Sequence, residues 1–289
     1  GIRVRHDKVH NLYGFYMTKA AGEAFERNIP EKRTLLFSRA SYTGMHRYGG
    51  VWTGDNMSWW SHLLLNICQL PSLNMTGFLY SGADTGGFGC NTTEDLMMRW
   101  LAISLFTPLF RNHSALGTRE QELYQFERSE DFKNIIELRY ALIPYIYSEF
   151  MKAALRDGMY IRPLAFGYRG DARCREIEDQ LLVGESLMIA PLHEQNKTGR
   201  YVYLPEKMKF IRFRSYRDFD EEILEAGDHY IKADLNEIPV FIRPGHVLPL
   251  CRPARYVEEL DKKDLTYLCF DAEPSSYELY EDDGISRIR

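Results

Sequence analysis

Four short apolar runs in the first half of this sequence are each followed by a polar cluster containing a residue able to do chemistry. Ser38-Arg39 follows residues 34–37. The run WTGDN carries Asp55, GADTGGF carries Asp84, and RNHS carries His113. A carboxyl group can deliver a proton or stabilise developing positive charge, whereas Arg and His donate hydrogen bonds to hydroxyls. Rings such as Trp52 and Phe88 can form apolar walls around a ligand. Each residue also has a plainer reading when taken alone. An Asp-Asn pair before a helix caps it, an arginine after a strand pairs with an acid, a lone histidine is hydrogen-bonded structure, and Asp84 holds its glycine-rich turn. Gly86-Gly87 makes a poor phosphate cradle, because neither GxGxxG nor GK[ST] accompanies it.

A parallel sheet would bring the four clusters together, because parallel strands aim their C-terminal ends at one face. The first part alternates helix-like and strand-like segments as such a fold requires. Helical spacing marks residues 11–27, where Leu12, Phe15, Tyr16, Ala20, Ala21 and Phe25 recur near one face. Further helices are predicted over 57–71, with Ser58 as N-cap and Pro71 at the end, over 93–105, and over 131–156 with a kink at Pro144. Strands are predicted at 34–37, 48–52, 77–80 and 106–110. From about Met159 the texture changes to short β runs, namely LMIAPL, RYVYLP, KFIRF, HYIKADL, PVFIRPGHVLPL, TYLCF and SYELY, separated by turn residues. That spacing predicts an antiparallel sandwich. The expected division is therefore α/β, with a half barrel over residues 1–158 and a β-rich region over 159–289.

Composition narrows the function classes. The chain has 289 residues, 45% hydrophobic and 27% charged, enough for a large core and unlike a disordered or fibrous sequence. A formal net charge of −5 without a long basic run gives no footprint for nucleic acid or an anionic membrane, and suits a neutral substrate. No apolar stretch reaches the ~20 residues that span a bilayer. Cys68, Cys90, Cys174, Cys251 and Cys269 are scattered without a CxxC pair, so they read as reduced, buried thiols, which favours a cytoplasmic setting. His6 and His10 are spaced i, i+4 but lack a third ligand, and Glu281, Asp282 and Asp283 before Gly284 read as an acidic turn between strands. The basic stretch 212–217 reads as a solvated hairpin.

Taken together and in order, the clusters match a known pattern. SRASYTGMHRYGGVWTGDN (residues 38–56), GADTGGFGC (82–90) and FRNHS (110–114) resemble the acid/base region and following strands of glycoside hydrolase family 31. Those enzymes are α-glucosidases, α-xylosidases and relatives. IEDQLLVGESLMIAPL, PVFIRPGHVLPL and LYEDDG resemble the family's C-terminal β domains. The resemblance covers nearly the whole chain. It implies the C-terminal half of a (β/α)8 TIM barrel followed by an antiparallel β-sandwich region, and a retaining exo-hydrolase acting on terminal α-linked glucose or xylose. Asp55 would be the general acid/base, with Arg39, Trp52, Asp84, Phe88 and His113 lining the subsite of the cleaved sugar. No cofactor or metal is implied.

The family's nucleophile lies in a WxDMNE-like motif on an earlier barrel strand, and no such motif occurs between Gly1 and Asp55. A retaining enzyme needs two carboxyl groups about 5–5.5 Å apart. The expected partners are therefore an α-glucoside or oligosaccharide substrate and the N-terminal half of the same enzyme, upstream in the gene or on a separate chain. The opening Gly1, without an initiator Met, reads as a cut end. A homo-oligomer stays open. Two rivals remain: an α-glucan lyase, which shares the covalent step and releases an anhydro sugar, and a carbohydrate-binding scaffold that keeps the barrel surface without catalysis.

Overall fold

The computed structural model describes residues 1–270 and 274–287. Helix His10–Asn28 leads into a three-stranded parallel sheet of Phe37–Ser38, Gly50–Trp52 and Ser81–Gly82. A second parallel ladder pairs Asp84–Thr85 with Arg111–Asn112. Helices Trp60–Met75 and Glu94–Ser104 connect these strands, giving the strand–helix alternation of a barrel wall.

Gly50–Trp52 falls within its expected run, Asp84–Thr85 forms where no strand was expected, and the other three strands lie at or beyond the C-terminal ends of the runs expected to form them. The cause is competition for backbone groups. Residues 105–109 form a turn, in which Thr107 Oγ1 donates to Ser104 and Leu109 carbonyls while Arg139 Nη1 donates to Leu105 and Thr107. Before Ser81, the Phe78 carbonyl is taken by Asn74 Nδ2, and Gly77 sits at φ +92°. Single bonds still extend the ladders backwards, from Gly50 N–H to Leu36 and from Val51 N–H to Tyr80. A Cβ on Gly50 would sit 2.4 Å from the Tyr80 carbonyl oxygen, so this close approach requires glycine. Asp84 and Arg111 consequently lie on strands, not on the loops after them, and Trp52 ends its strand as expected.

Two helix expectations change as well. Helix Trp60–Met75 starts later than Ser58, whose hydroxyl donates to the Gly89 and Cys90 carbonyls instead of capping, and it runs past Pro71. Its last turn is held from outside, since Asn74 Oδ1 accepts from Tyr160 and Ile161 N–H (3.1 and 2.8 Å). The long helix around Pro144 is two helices, Ser129–Ala141 and Ile143–Leu155, with proline in the first turn of the second, where its missing N–H costs nothing.

Beyond these helices the chain builds a six-stranded antiparallel sheet in the spatial order Phe219–Leu224, Met208–Phe213, Ile238–Ile242, Leu187–Ile189, Leu181–Val183, Ile161–Pro163. Alternation with period two sorts its side chains between two cores. Leu181, Val183, Ile211, Val240 and Ile242 join Trp100, Phe106 and Phe132 of the barrel side. Leu182, Met188, Phe210 and Phe241 face Val202 and Ile231 of a covering two-stranded ribbon, Gly199–Leu204 with Gly227–Lys232. Each such fully buried side chain stabilises the fold by roughly 1.5–3 kcal/mol. A second hairpin joins Val247–Cys251 to Leu265–Cys269. SYELY, residues 276–280, is not a strand; Tyr277 packs on Tyr145, and Tyr280 N–H donates to Ser148. The 212–217 stretch does form a hairpin turn, with Arg214 bound to Asp218.

Buried polar contacts lock the helices to the sheet. Tyr145 OH donates to the Val183 carbonyl at 2.5 Å, and the Glu149 carboxylate binds Lys152 Nζ and Glu185 N–H, both at 2.8 Å. The final acidic turn does not lie between strands. Asp282 accepts from Arg33 (3.0 Å) and Tyr147 (2.8 Å), and Arg33 N–H donates to Ile285 (2.8 Å), strapping the tail beside the segment that leads into Phe37–Ser38. Among the described residues no helix is long and apolar enough to cross a membrane. Of the thiols, Cys174 and Cys251 are buried but Cys90 is exposed, so burial does not extend to all five.

Candidate active site

The C-terminal ends of the parallel strands bring Arg39 and Asp55 together. Arg39 Nη1 lies 2.9 Å from Asp55 Oδ2, and about half of each side chain is open to solvent. Gly54, at φ +85°, lets the arginine stem lie across the loop, since a Cβ there would stand 3.0 Å from Arg39 Cδ. Asp55 is therefore not a helix N-cap; the following helix begins at Trp60, with Trp59 at its cap position.

Asn56, next in the chain, zips this loop to the glycine-rich one. Its Nδ2 donates to the Asp84 carbonyl (3.1 Å), its Oδ1 accepts from Phe88 N–H (3.2 Å), and its own carbonyl accepts from Phe88 and Gly89. Gly87 makes that approach possible. Its φ is +93°, and a Cβ would meet Ser58 N at 2.4 Å. Phe88 in turn stacks beside His113, centroids 5.1 Å apart, while its carbonyl accepts from Ala115 N–H. Gln121, itself buried, holds the other side through paired bonds with Asn112 (2.7 and 2.8 Å).

Beneath the Arg39–Asp55 pair lies a second charged pair, Asp84 with Arg111. Asp84 is fully buried, and its Oδ1 receives both Nε (2.9 Å) and Nη2 (2.5 Å) of Arg111. The same guanidinium lies 5.3 Å from the Trp52 ring and 5.6 Å from Phe37, a cation–π arrangement that fixes the indole. Asp84 Oδ2 and Trp52 Nε1 are both buried and lack a protein partner among the described residues, one an acceptor and the other a donor. Burial pushes the Asp84 carboxyl above its ordinary pKa. Arg111 and His113 oppose that rise, and the charge of Asp55 adds to it.

Of the residues singled out from the sequence, Arg39 pairs with Asp55, Phe88 with His113, and Trp52 with Asp84 by way of Arg111. No hydrogen bond or ring contact among the described residues joins Asp55 to His113 directly. Arg111 and Asn56 were within the quoted motifs but had no assigned role. Arg111 opens the strand Arg111–Asn112, and its parallel pairing with Asp84–Thr85, not a local sequence signal, brings it to Asp84. A pocket of about 510 Å³ between Thr34, Tyr48, Tyr80 and Phe150 opens at the opposite ends of these strands, away from the Arg39–Asp55 pair. Among the described residues no group of three His, Cys, Asp or Glu is placed to hold a metal ion.

Residues 2–149 match the model of the glycosyl hydrolases family 31 TIM-barrel domain. The chain belongs to glycosyl hydrolase family 31. Residues 157–248 match the C-terminal domain of the same family, and the α/β half barrel with its following β-rich region is the corresponding part of that architecture. Alpha-glucosidase 2 of Bacillus thermoamyloliquefaciens is 36% identical over 96% of this chain and 35% of its own length. Neutral alpha-glucosidase AB of Mus musculus is 33% identical over 96% of the chain and 30% of its length. A family 31 dextranase of Flavobacterium johnsoniae, solved with glucose, superposes with a TM-score of 0.85 at 30% identity, covering 98% of this chain and 36% of that one. This family 31 chain thus spans about a third of the length of these relatives.

Proposed function

We propose that the chain supplies the general acid/base half of a retaining α-glycosidase acting on terminal α-linked glucose or xylose. Asp55 is the acid/base, and residues 1–158 form the barrel half that carries it, with 159–289 as the β-rich support. The observation that carries this reading is the Arg39–Asp55 pair at 2.9 Å, solvent-facing at the strand ends above an aromatic and charged layer. In the first step Asp55 donates its proton to the departing glycosidic oxygen while a second carboxylate attacks the anomeric carbon. In the second step Asp55 takes a proton from water, which attacks the same carbon, displaces the carboxylate bound there and restores the α configuration. The attacking carboxylate comes from residues outside this chain, about 5–5.5 Å from Asp55. Arg39 orients the acid/base and, with His113, donates to sugar hydroxyls. Trp52 and Phe88 form apolar walls, and Asp84 Oδ2 and Trp52 Nε1, buried and unpaired among the described residues, lie beneath them as an acceptor and a donor. Relatives named as α-glucosidases and an α-xylosidase of Xanthomonas citri support the substrate class.

The test is the product released by the complete enzyme from an aryl α-glucoside, followed by proton NMR from the first turnovers. α-Glucose is expected to appear before the β anomer. Initial β-glucose would overturn retention, and an anhydro sugar would overturn hydrolysis in favour of elimination.

A further inference from the structure

The covering ribbon carries a second constellation, on the β-rich side of the molecule. Tyr201 and Tyr230 are cross-strand partners in the register of Gly199–Leu204 with Gly227–Lys232. Their rings meet edge to face at 5.2 Å and are 73% and 51% exposed. Other outward tyrosines here are committed: Tyr203 OH donates to Asp171 at 2.6 Å under the Arg173 guanidinium. Among the described residues, neither the Tyr201 nor the Tyr230 hydroxyl has a hydrogen-bond partner. Beside them opens a pocket of about 330 Å³ whose polar wall is Asp179, His193 and Arg200. Gly199 forms part of its lining, and a Cβ there would meet the Ile231 carbonyl oxygen at 2.6 Å and the Tyr230 ring at 2.9 Å, so the glycine lets both strand and ring approach bare backbone.

The geometry points to this pocket as a second carbohydrate site, which holds a neutral α-glucan chain away from the cleavage site, with Tyr201 and Tyr230 as the stacking platform. The inference rests on the proposed α-glycosidase reading for its choice of sugar. Exposed rings offer an apolar face to sugar C–H groups with little entropy to lose. The volume is at the small end of ligand pockets, roughly 300–1,000 Å³, which suits one sugar ring with its neighbours outside on the tyrosines. Charge selects a neutral guest: Asp179 faces Arg200 at 2.7 Å, and Glu194 faces Lys197 at 3.7 Å, leaving no surplus of either sign. Asp179 is a fixed acceptor for sugar hydroxyls. Burial raises its carboxyl, but the bonds from His193 (3.0 Å) and Arg200 outweigh this and bring it down to about 2. The rim is also preorganised, since buried Arg99 of the helix Glu94–Ser104 donates to the carbonyls of Lys197, Ala233 and Asp234 at 2.9–3.1 Å.

Calorimetry on the complete enzyme tests this, with the active site saturated by a glucose-configured iminosugar. Maltoheptaose and an isomaltooligosaccharide of equal length are titrated separately. At least one should bind once per chain, and Tyr201→Ala/Tyr230→Ala should weaken it tenfold or more, about 1.4 kcal/mol. Asp179→Asn, which preserves the shape of the wall, should weaken it as well. Turnover of p-nitrophenyl α-glucoside by the tyrosine variant should be unchanged. Absence of iminosugar-independent binding by both oligosaccharides, or binding untouched in both variants, overturns the site. An enzyme that binds these chains here yet cleaves no α-glycoside overturns the proposed function instead and leaves the site standing.

Discussion

Replacing Arg111 with methionine keeps much of the side chain's bulk and removes its charge from the layer beneath Asp55. Asp84 then loses both guanidinium bonds, at 2.9 and 2.5 Å, while remaining fully buried. Stripping one partner from a buried ion pair typically costs 3–5 kcal/mol, and Arg111 is itself 28% exposed, so the lower end, about 3 kcal/mol, is expected at neutral pH. The cost depends on pH in a definite direction. Burial already holds the Asp84 carboxyl above its ordinary value, so ionising it opposes folding, and without Arg111 that opposition grows. The deficit should appear as pH rises through the carboxyl's range and shrink as acid protonates it. Adding Asp84→Asn should recover much of the loss, because a neutral amide is cheaper to bury than a lone carboxylate. Trp52 also loses the cation at 5.3 Å, so kcat/KM on an aryl α-glucoside should fall in the single variant. Urea unfolding of the complete polypeptide at neutral and acid pH is the assay. A deficit below about 1 kcal/mol, as for a surface pair, or one equal at both pH values, would refute the role given to Asp84 and Arg111.

Gly87→Ala places a side chain at φ +93° and 2.4 Å from a backbone nitrogen. It should lower stability by about 1–3 kcal/mol from backbone strain alone, read as a drop in thermal midpoint, with activity falling as Phe88 and His113 shift; an unchanged midpoint contradicts the tight approach. The C-terminal strap should release in acid. Asp283 is held down to about 2 by the Ser286 hydroxyl and the N–H groups of Ile285 and Ser286. Burial raises the Asp282 carboxyl, but Arg33 and Tyr147 together hold it below its ordinary value. Their contribution is complete above the ordinary carboxylate range and disappears as pH falls through the lowered values. Asp282→Asn should therefore speed hydrogen exchange at Arg33 N–H at neutral pH; equal exchange in both proteins counts against the strap.

Much of this was legible in the sequence because the signals are local. Helical spacing over 11–27 located helix His10–Asn28, Pro144 marked the break between two helices, and the alternating runs after Met159, SYELY excepted, became strands, those of the large sheet sorting their faces into two cores. Strand limits were not legible, because they depend on which backbone groups distant side chains take. Arg139 claims the Leu105 and Thr107 carbonyls, and Asn74 claims that of Phe78, so the ladders begin where such claims end. Pro71 misled for the same reason, since contacts from Tyr160 and Ile161 hold the helix beyond it. In the site, the pairing of Arg39 with Asp55 could be suspected from strand-end positions. That Asp84 lies below the surface, clamped by Arg111, could not, because it depends on the parallel pairing of Asp84–Thr85 with Arg111–Asn112, two segments 27 residues apart.

The role of Asp55 is tested most directly by Asp55→Asn in the complete enzyme, assayed on α-glucosides whose leaving groups span a wide range of acidity, with and without sodium azide. If Asp55 delivers the proton, turnover of a maltooligosaccharide should fall by 10²–10⁴-fold, the usual worth of general acid catalysis. An activated aryl glucoside, which needs no proton to depart, should form the glycosyl–enzyme nearly as before, and azide should speed its turnover to give α-glucosyl azide. Equal losses on both substrates, with no glucosyl azide formed, would contradict the assignment.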